Sequence, residues 1–146
     1  SLSLRTLYME GDILMKIQES AENYLETILM LGKAKGNVRS IDIATALSFS
    51  KPSVSVAMKK LRENGYILMD KDGFIALTEK GHEIAETIYE RHTLLSSFLM
   101  YLGVSKETAT QDACRIEHVI SPESFEALKQ HVYSHKEIMD IKDVKI

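Results

Sequence analysis

Apolar side chains recur along this chain in two rhythms, one of three to four residues and one of two, and the switches between them predict its elements. Over residues 19–33, Tyr24, Leu25, Ile28, Leu29 and Leu31 fall at helical spacing, Ser20 is placed to cap the start, and Gly32 and Gly36 are expected to end the helix. A short helix follows over 41–47, capped by Ser40, with Ile43, Ala44 and Leu47 inward. After the turn Ser48-Phe49-Ser50, Pro52 is preorganised for a first helical turn. This helix runs to residue 64, with Val54, Met58 and Leu61 as its buried stripe and Ser53, Ser55, Lys59, Lys60 and Arg62 elsewhere. Gly65 stops it, and the rhythm shortens: residues 66–69 and 74–77 read as strands. Asp70-Lys71-Asp72-Gly73 joins them, Asp72 and Gly73 being expected at the positive-φ positions of the turn. Thr78 caps a long helix reaching about residue 102, with Ile84, Ile88, Leu95, Phe98 and Leu99 on its apolar face, and Gly103 breaks it. Ser105 caps a helix over 106–119, and Ser121-Pro122-Glu123 starts a last one with Phe125, Leu128 and Val132 inward. Residues 1–15 are weakly patterned and Met15 reads like a natural start, while the tail from Lys136 receives no assigned structure.

Two helices joined by a three-residue turn, the second bearing small polar and basic residues, make a helix-turn-helix. The hairpin after them is a wing, with Lys71 at its tip. The expected fold is mainly α, a winged helix-turn-helix domain followed by an all-helical domain. The expected boundaries are an N-terminal extension over 1–18, the DNA-binding domain over 19–80 and the helical domain over 81–146.

Charge sharpens this picture. The chain of 146 residues carries a net charge of −3, which at face value argues against nucleic acid. Yet Lys33, Lys35, Arg39, Lys51, Lys59, Lys60 and Arg62 are opposed over that stretch by Asp42 alone. A basic block in an acidic protein is the footprint of an element that meets phosphate; the plainer reading is a solvated helix face. No run approaches the ~20 apolar residues that cross a bilayer, and no signal-peptide pattern is seen. The single cysteine forms no internal disulfide and suits a reducing cytoplasm, where the protein is expected.

That cysteine also belongs to the chain's most specific constellation. On a helix, Cys114, Glu117 and His118 stand at i, i+3 and i+4 and share one face. A thiolate, a carboxylate and an imidazole converging on one point form a metal-ligand set, and the sulfur favours a transition metal over magnesium or calcium. A structural zinc site would use more cysteines. Catalytic Cys–His chemistry would need an orienting group and an oxyanion pocket, neither of which is visible, so no enzyme is expected. His82, His131 and His135 read as exposed helix faces.

The segment Asp112-Ala113-Cys114-Arg115-Ile116-Glu117-His118-Val119-Ile120-Ser121 resembles the signature of the diphtheria toxin repressor family of metal-dependent transcriptional regulators. The likeness extends to Tyr24-Leu25-Glu26-Thr27-Ile28, Pro52-Ser53-Val54-Ser55, Leu77-Thr78-Glu79-Lys80-Gly81 and Arg91-His92, in the family's order. The resemblance implies a homodimer with a winged-helix domain and a metal-binding and dimerisation domain, using Fe(II) or Mn(II) and binding palindromic operator DNA. It makes Cys114, Glu117 and His118 an iron-type primary site, completed from the first helix at the position of Asn23, where iron members have methionine and manganese members aspartate. It places a second site at His92, with Glu26 as in manganese members; the iron members' carboxylate and imidazole fall on Ser96 and Thr110. The iron members' third, SH3-like domain has no counterpart here, so the helix signature looks iron-type and the architecture manganese-type.

For DNA, the resemblance brings Ser50, Pro52, Ser53, Ser55 and Val56 towards bases and phosphates. Small hydroxyls and an apolar valine suit thymine methyls and shape more than bidentate guanine recognition. Arg39, Lys51, Lys59, Lys60 and Lys71 are expected at phosphates, which position without specifying. The function expected is repression of metal-uptake genes, with the metal fixing the angle between domains. Because an imidazole must be neutral and a thiol ionised to ligate, activation is expected to weaken below pH ~6. The alternative is a metal-independent winged-helix regulator answering to a small ligand or to oxidation of Cys114.

Overall fold

The computed structural model describes residues 4–135, with side chains described from Gln18 onward. The chain runs α1 (Leu4–Lys35), α2 (Ser40–Leu47), α3 (Lys51–Glu63), β1 (Ile67–Met69), β2 (Ile75–Leu77), α4 (Glu79–Tyr101), α5 (Lys106–Ile116) and α6 (Pro122–Ser134). Contacts divide it into two units, Ser1–Ala85 and Glu86–Ile146, so the divide falls inside α4. None of the helices among the described residues is long and apolar enough to cross a membrane.

The first unit closes around Leu25, Ile28 and Leu29 of α1, Ile43 of α2, Val54, Met58 and Leu61 of α3, and Ile67 and Ile75 of the hairpin, all buried. Full burial of one such side chain stabilises by about 1.5–3 kcal/mol, so this one stripe per helix sets how the elements meet. Helix α1 starts at Leu4, well before the expected residue 19, and it runs through Gly32 to Lys35. A helix-interior glycine costs only about 1 kcal/mol, less than the packing of one buried leucine supplies, so Gly32 does not end the helix; Gly36 does, at φ +87°. Ser40 begins α2 rather than capping it. Arg39 holds the capping position in an extended conformation, and its N–H donates to Asp42 Oδ2 at 2.8 Å. Lys35 Nζ donates to the other oxygen at 2.6 Å. These hydrogen bonds, the lysine's first, hold the Asp42 carboxyl below its usual range. In α3 the cap is Ser50, which accepts from Ser53 N, so the helix begins at Lys51, ahead of Pro52.

Strands β1 and β2 pair antiparallel, Ile67 opposite Leu77, Leu68 opposite Ala76 and Met69 opposite Ile75. At the wing tip only Gly73 takes a positive φ, +83°; Asp72 does not, contrary to the sequence expectation. The Asp70 carboxylate explains the difference: its Oδ1 accepts from the N–H groups of Asp72 and Phe74, both at 2.9 Å, which turns the chain with a single left-handed residue. A feature that the pattern did not reveal is an antiparallel bridge from Val38 to Ile75, with Ile75 N donating to Val38 O at 2.8 Å. Gly81 is buried against the backbone of Tyr66, where an added Cβ would collide with the carbonyl.

In the second unit Leu94, Phe125 and Val132 form a core covered by Phe98, Ile120 and Leu128. Ser105 and Ser121 cap α5 and α6, accepting from Thr108 N and Ser124 N. Helix α5 stops at Ile116, short of the expected residue 119. Glu117 still keeps helical angles, φ −57° and ψ −29°, with its N–H on Ala113 O at 2.9 Å. The next turn tightens, Val119 N and Ile120 N both returning to Ile116 O. The sequence pattern of 106–119 thus holds in direction as far as Glu117, and the chain bends away after it.

Candidate metal centre and DNA-facing surface

Three polar side chains, His92, Ser96 and Glu117, are almost completely enclosed in the second unit, at 3%, 1% and 0% exposure. Ser96 is satisfied within α4, its hydroxyl donating to His92 O at 2.7 Å. The other two meet each other: His92 Nδ1 lies 2.7 Å from Glu117 Oε2. In the tautomer with the proton on Nδ1 that nitrogen donates, and Nε2 keeps its lone pair. Glu117 Oε1 lies 3.3 Å from His118 Nε2, yet no hydrogen bond is directed at this oxygen. A carboxylate oxygen shut away from water without a hydrogen bond is unfavourable unless a cation compensates it.

The donor chemistry fits such a cation. One ring nitrogen of His92, Cys114 Sγ and a carboxylate oxygen of Glu117 all lie within 4.8 Å of one another. Nitrogen, sulfur and oxygen together suit a borderline transition ion better than a hard one. The thiol stands on the open side of the cluster, while His92 and Glu117 close its inner side. The sequence reading put Cys114, Glu117 and His118 in one site and His92 in another. In the structure Glu117 joins the two, one oxygen towards each histidine. Nothing in helical periodicity signals that union, because His92 arrives from α4 across a long stretch of chain.

Asn23 and Glu26 stand on α1 in the first unit. Glu26 is buried at 4% exposure, and Asn23 is half-buried with its carbonyl accepting from the Thr27 hydroxyl at 2.8 Å.

The residues expected at DNA share the opposite character. Arg39, Ser50, Lys51, Pro52, Ser53, Ser55, Val56, Lys59, Lys60 and Lys71 are all exposed. Val56 is an apolar side chain 56% exposed on the polar side of α3, available for contact rather than spent on the core. Ser53 is tied to Ser50 through their hydroxyls at 2.8 Å, which fixes the start of that helix. Arg39 lays its guanidinium over the Phe74 ring, 4.3 Å from the centroid. The stacking, which sequence spacing did not suggest, holds this cation beside the wing.

Comparison with known proteins bears on both surfaces. Residues 16–74 match a family profile described as the N-terminal DNA binding domain of the iron dependent repressor, and residues 78–138 its metal binding and dimerisation domain. The regulator MntR of Bacillus subtilis is 36% identical over 127 residues, spanning 86% of this chain and 89% of its own length. The transcriptional regulator MntR of Escherichia coli O6:H1 is 35% identical over 118 residues, 81% of this chain and 76% of its own. Among solved structures, the manganese regulator SloR superposes with a TM-score of 0.69 at 32% identity, over 77% of this chain. The chain spans about half, 53%, of that structure's length.

Proposed function

Because this chain belongs to the iron-dependent (diphtheria toxin) repressor family, we propose that it is a metal-activated transcriptional repressor of metal-uptake genes. The observation that carries the reading is the enclosed Glu117 carboxylate, facing His92, with donor atoms of His92, Cys114 and Glu117 all within 4.8 Å of one another. Cys114, Glu117, His118 and His92 are the proposed ligands, with Asn23 and Glu26 as further oxygen donors carried over from the resemblance. An Fe(II) or Mn(II) ion would supply the positive charge that this interior carboxylate lacks. The similar SloR is described as a manganese regulator, whereas the thiol of Cys114 inclines the set towards the softer Fe(II).

On the DNA side, Lys51, Lys59, Lys60, Arg39 and Lys71 hold phosphates, and Ser50, Pro52, Ser53, Ser55 and Val56 face base edges. A homodimer presents two copies of α3 to the half-sites of a palindromic operator about one turn, ~34 Å, apart. The protein works in the cytoplasm, where both DNA and reduced thiol are found.

The test is an anaerobic titration of affinity for a duplex selected from a random library, repeated with Fe(II), Mn(II), Co(II) and Zn(II). At least one ion is expected to tighten binding about 5- to 150-fold, and the duplex to tighten metal binding by the same factor. Equal affinity with and without every ion would favour the metal-independent rival and overturn the reading.

A further inference from the structure

The turn that carries Glu117 and His118 is gripped from α4 at two consecutive residues. His92 meets the Glu117 side chain, as described above. Arg91, one position earlier, meets the main chain: its Nη1 donates to the carbonyls of Glu117 and Ile120, both at 3.1 Å. Glu117 caps the C-terminus of α5, so its carbonyl lies where a helix end leaves acceptors unsatisfied and partial negative charge gathers, while the Ile120 carbonyl stands at the far side of the turn, just before the Ser121 cap of α6. A guanidinium there answers both demands. Its plane also lies over the Phe125 ring, 5.5 Å from the centroid, which ties the same group to α6. Arg91 Nε is enclosed without a hydrogen-bond partner.

From these contacts we infer that Arg91 is the positioning residue of the metal centre. It sets the conformation of residues 117–120 before any ion arrives, so that the Glu117 carboxylate and the His118 ring leave the backbone in ligating directions. The inference rests on the proposed metal site but concerns a residue outside the ligand set. Through Arg91 and His92, one helix determines where both ends of Glu117 lie. Partners of this kind typically change metal affinity about ten- to hundredfold when removed.

The experiment compares the wild-type protein with Arg91→Met and Arg91→Lys, reading anaerobic Co(II) binding and the Co(II) absorption spectrum. Methionine keeps the packing of the stem and removes both hydrogen bonds. Its Co(II) affinity is expected to fall about ten- to hundredfold with an altered d–d envelope, and lysine, able to reach a carbonyl, is expected to recover part of the loss. A merely structural role would lower melting temperature and leave the spectrum of the folded fraction alone. A folded Arg91→Met protein with wild-type affinity and spectrum overturns the inference. Hydrogen exchange on the wild-type apoprotein decides it independently of whether the variant folds. The amides of Glu117, Val119 and Ile120 are expected to be protected without metal. If they exchange freely until Co(II) is added, the ion and not Arg91 orders the turn. Absence of any Co(II) binding by the wild type would instead sink the metal-site reading, leaving the exchange result to judge Arg91.

Discussion

The exposed face of α3 and the enclosed pair of His92 and Glu117 are both polar, both proposed to receive an ion, and built on opposite rules. Around α3 the cations stand in water, separately mounted and interchangeable, as suits a partner that is itself a repeating polyanion. At Glu117 a single, fully buried carboxylate is held from the side chain by His92 and from the main chain by Arg91. Long-range attraction tolerates loose placement; coordination does not. The difference teaches where a substitution will be graded and where it will be all or none.

The contrast is sharpest at Glu117. Glu117→Gln keeps the shape and an acceptor for His92 but removes the charge, so Co(II) or Mn(II) affinity measured by calorimetry is expected to drop by more than about a hundredfold. Its apo melting temperature is expected to hold, since a buried carboxylate lends little net stability. Wild-type metal affinity in this variant would erase the distinction between the two surfaces. Next in size is Gly81→Ala, which forces a Cβ into the Tyr66 carbonyl and displaces the start of α4 from the wing. A loss of about 1–3 kcal/mol in urea unfolding is expected, from overpacking alone. Lys59→Ala acts on the redundant surface. It is expected to weaken all duplexes alike and to lower the slope of log affinity against log salt by about one, with sequence preference unchanged.

The smallest effect concerns Asp42, whose carboxyl is held below its usual range by Lys35 and by the Arg39 N–H. A lowered folded-state value means stability that is present above the ordinary carboxylate range and lost as the pH falls through the lowered one. Asp42→Asn is therefore expected to cost a few tenths of a kcal/mol at pH 7, the pair being solvent-exposed. In strongly acidic urea titrations the variant and the parent should coincide. A constant difference at every pH would mean that packing, not charge, is lost.

Local rules were readable wherever the decision was local. The stripes Leu25-Ile28-Leu29 and Val54-Met58-Leu61 are buried where periodicity put them, and the serines before α3, α5 and α6 are capped or capping as their types suggest. The sequence misled where two local signals competed: Gly32 invited a helix end that the flanking apolar residues overrode. At the wing, Asp72 invited a second left-handed residue that the Asp70 carboxylate made unnecessary. It was silent where the partner lies far along the chain. Neither the joining of His92 with Glu117, nor the Arg91 clamp, nor the Val38–Ile75 bridge leaves a spacing signal. The resemblance supplied the ligand types, and the structure supplied which of them face one another.

That bridge at Val38 carries a consequence for how the hairpin behaves in solution. Pinned by a main-chain bond at Ile75 and roofed by the Arg39–Phe74 stack, it is a braced spur and not a flap. Its conformational freedom is surrendered when the polypeptide collapses, so in the proposed complex with a duplex little of the association entropy would go into shaping it.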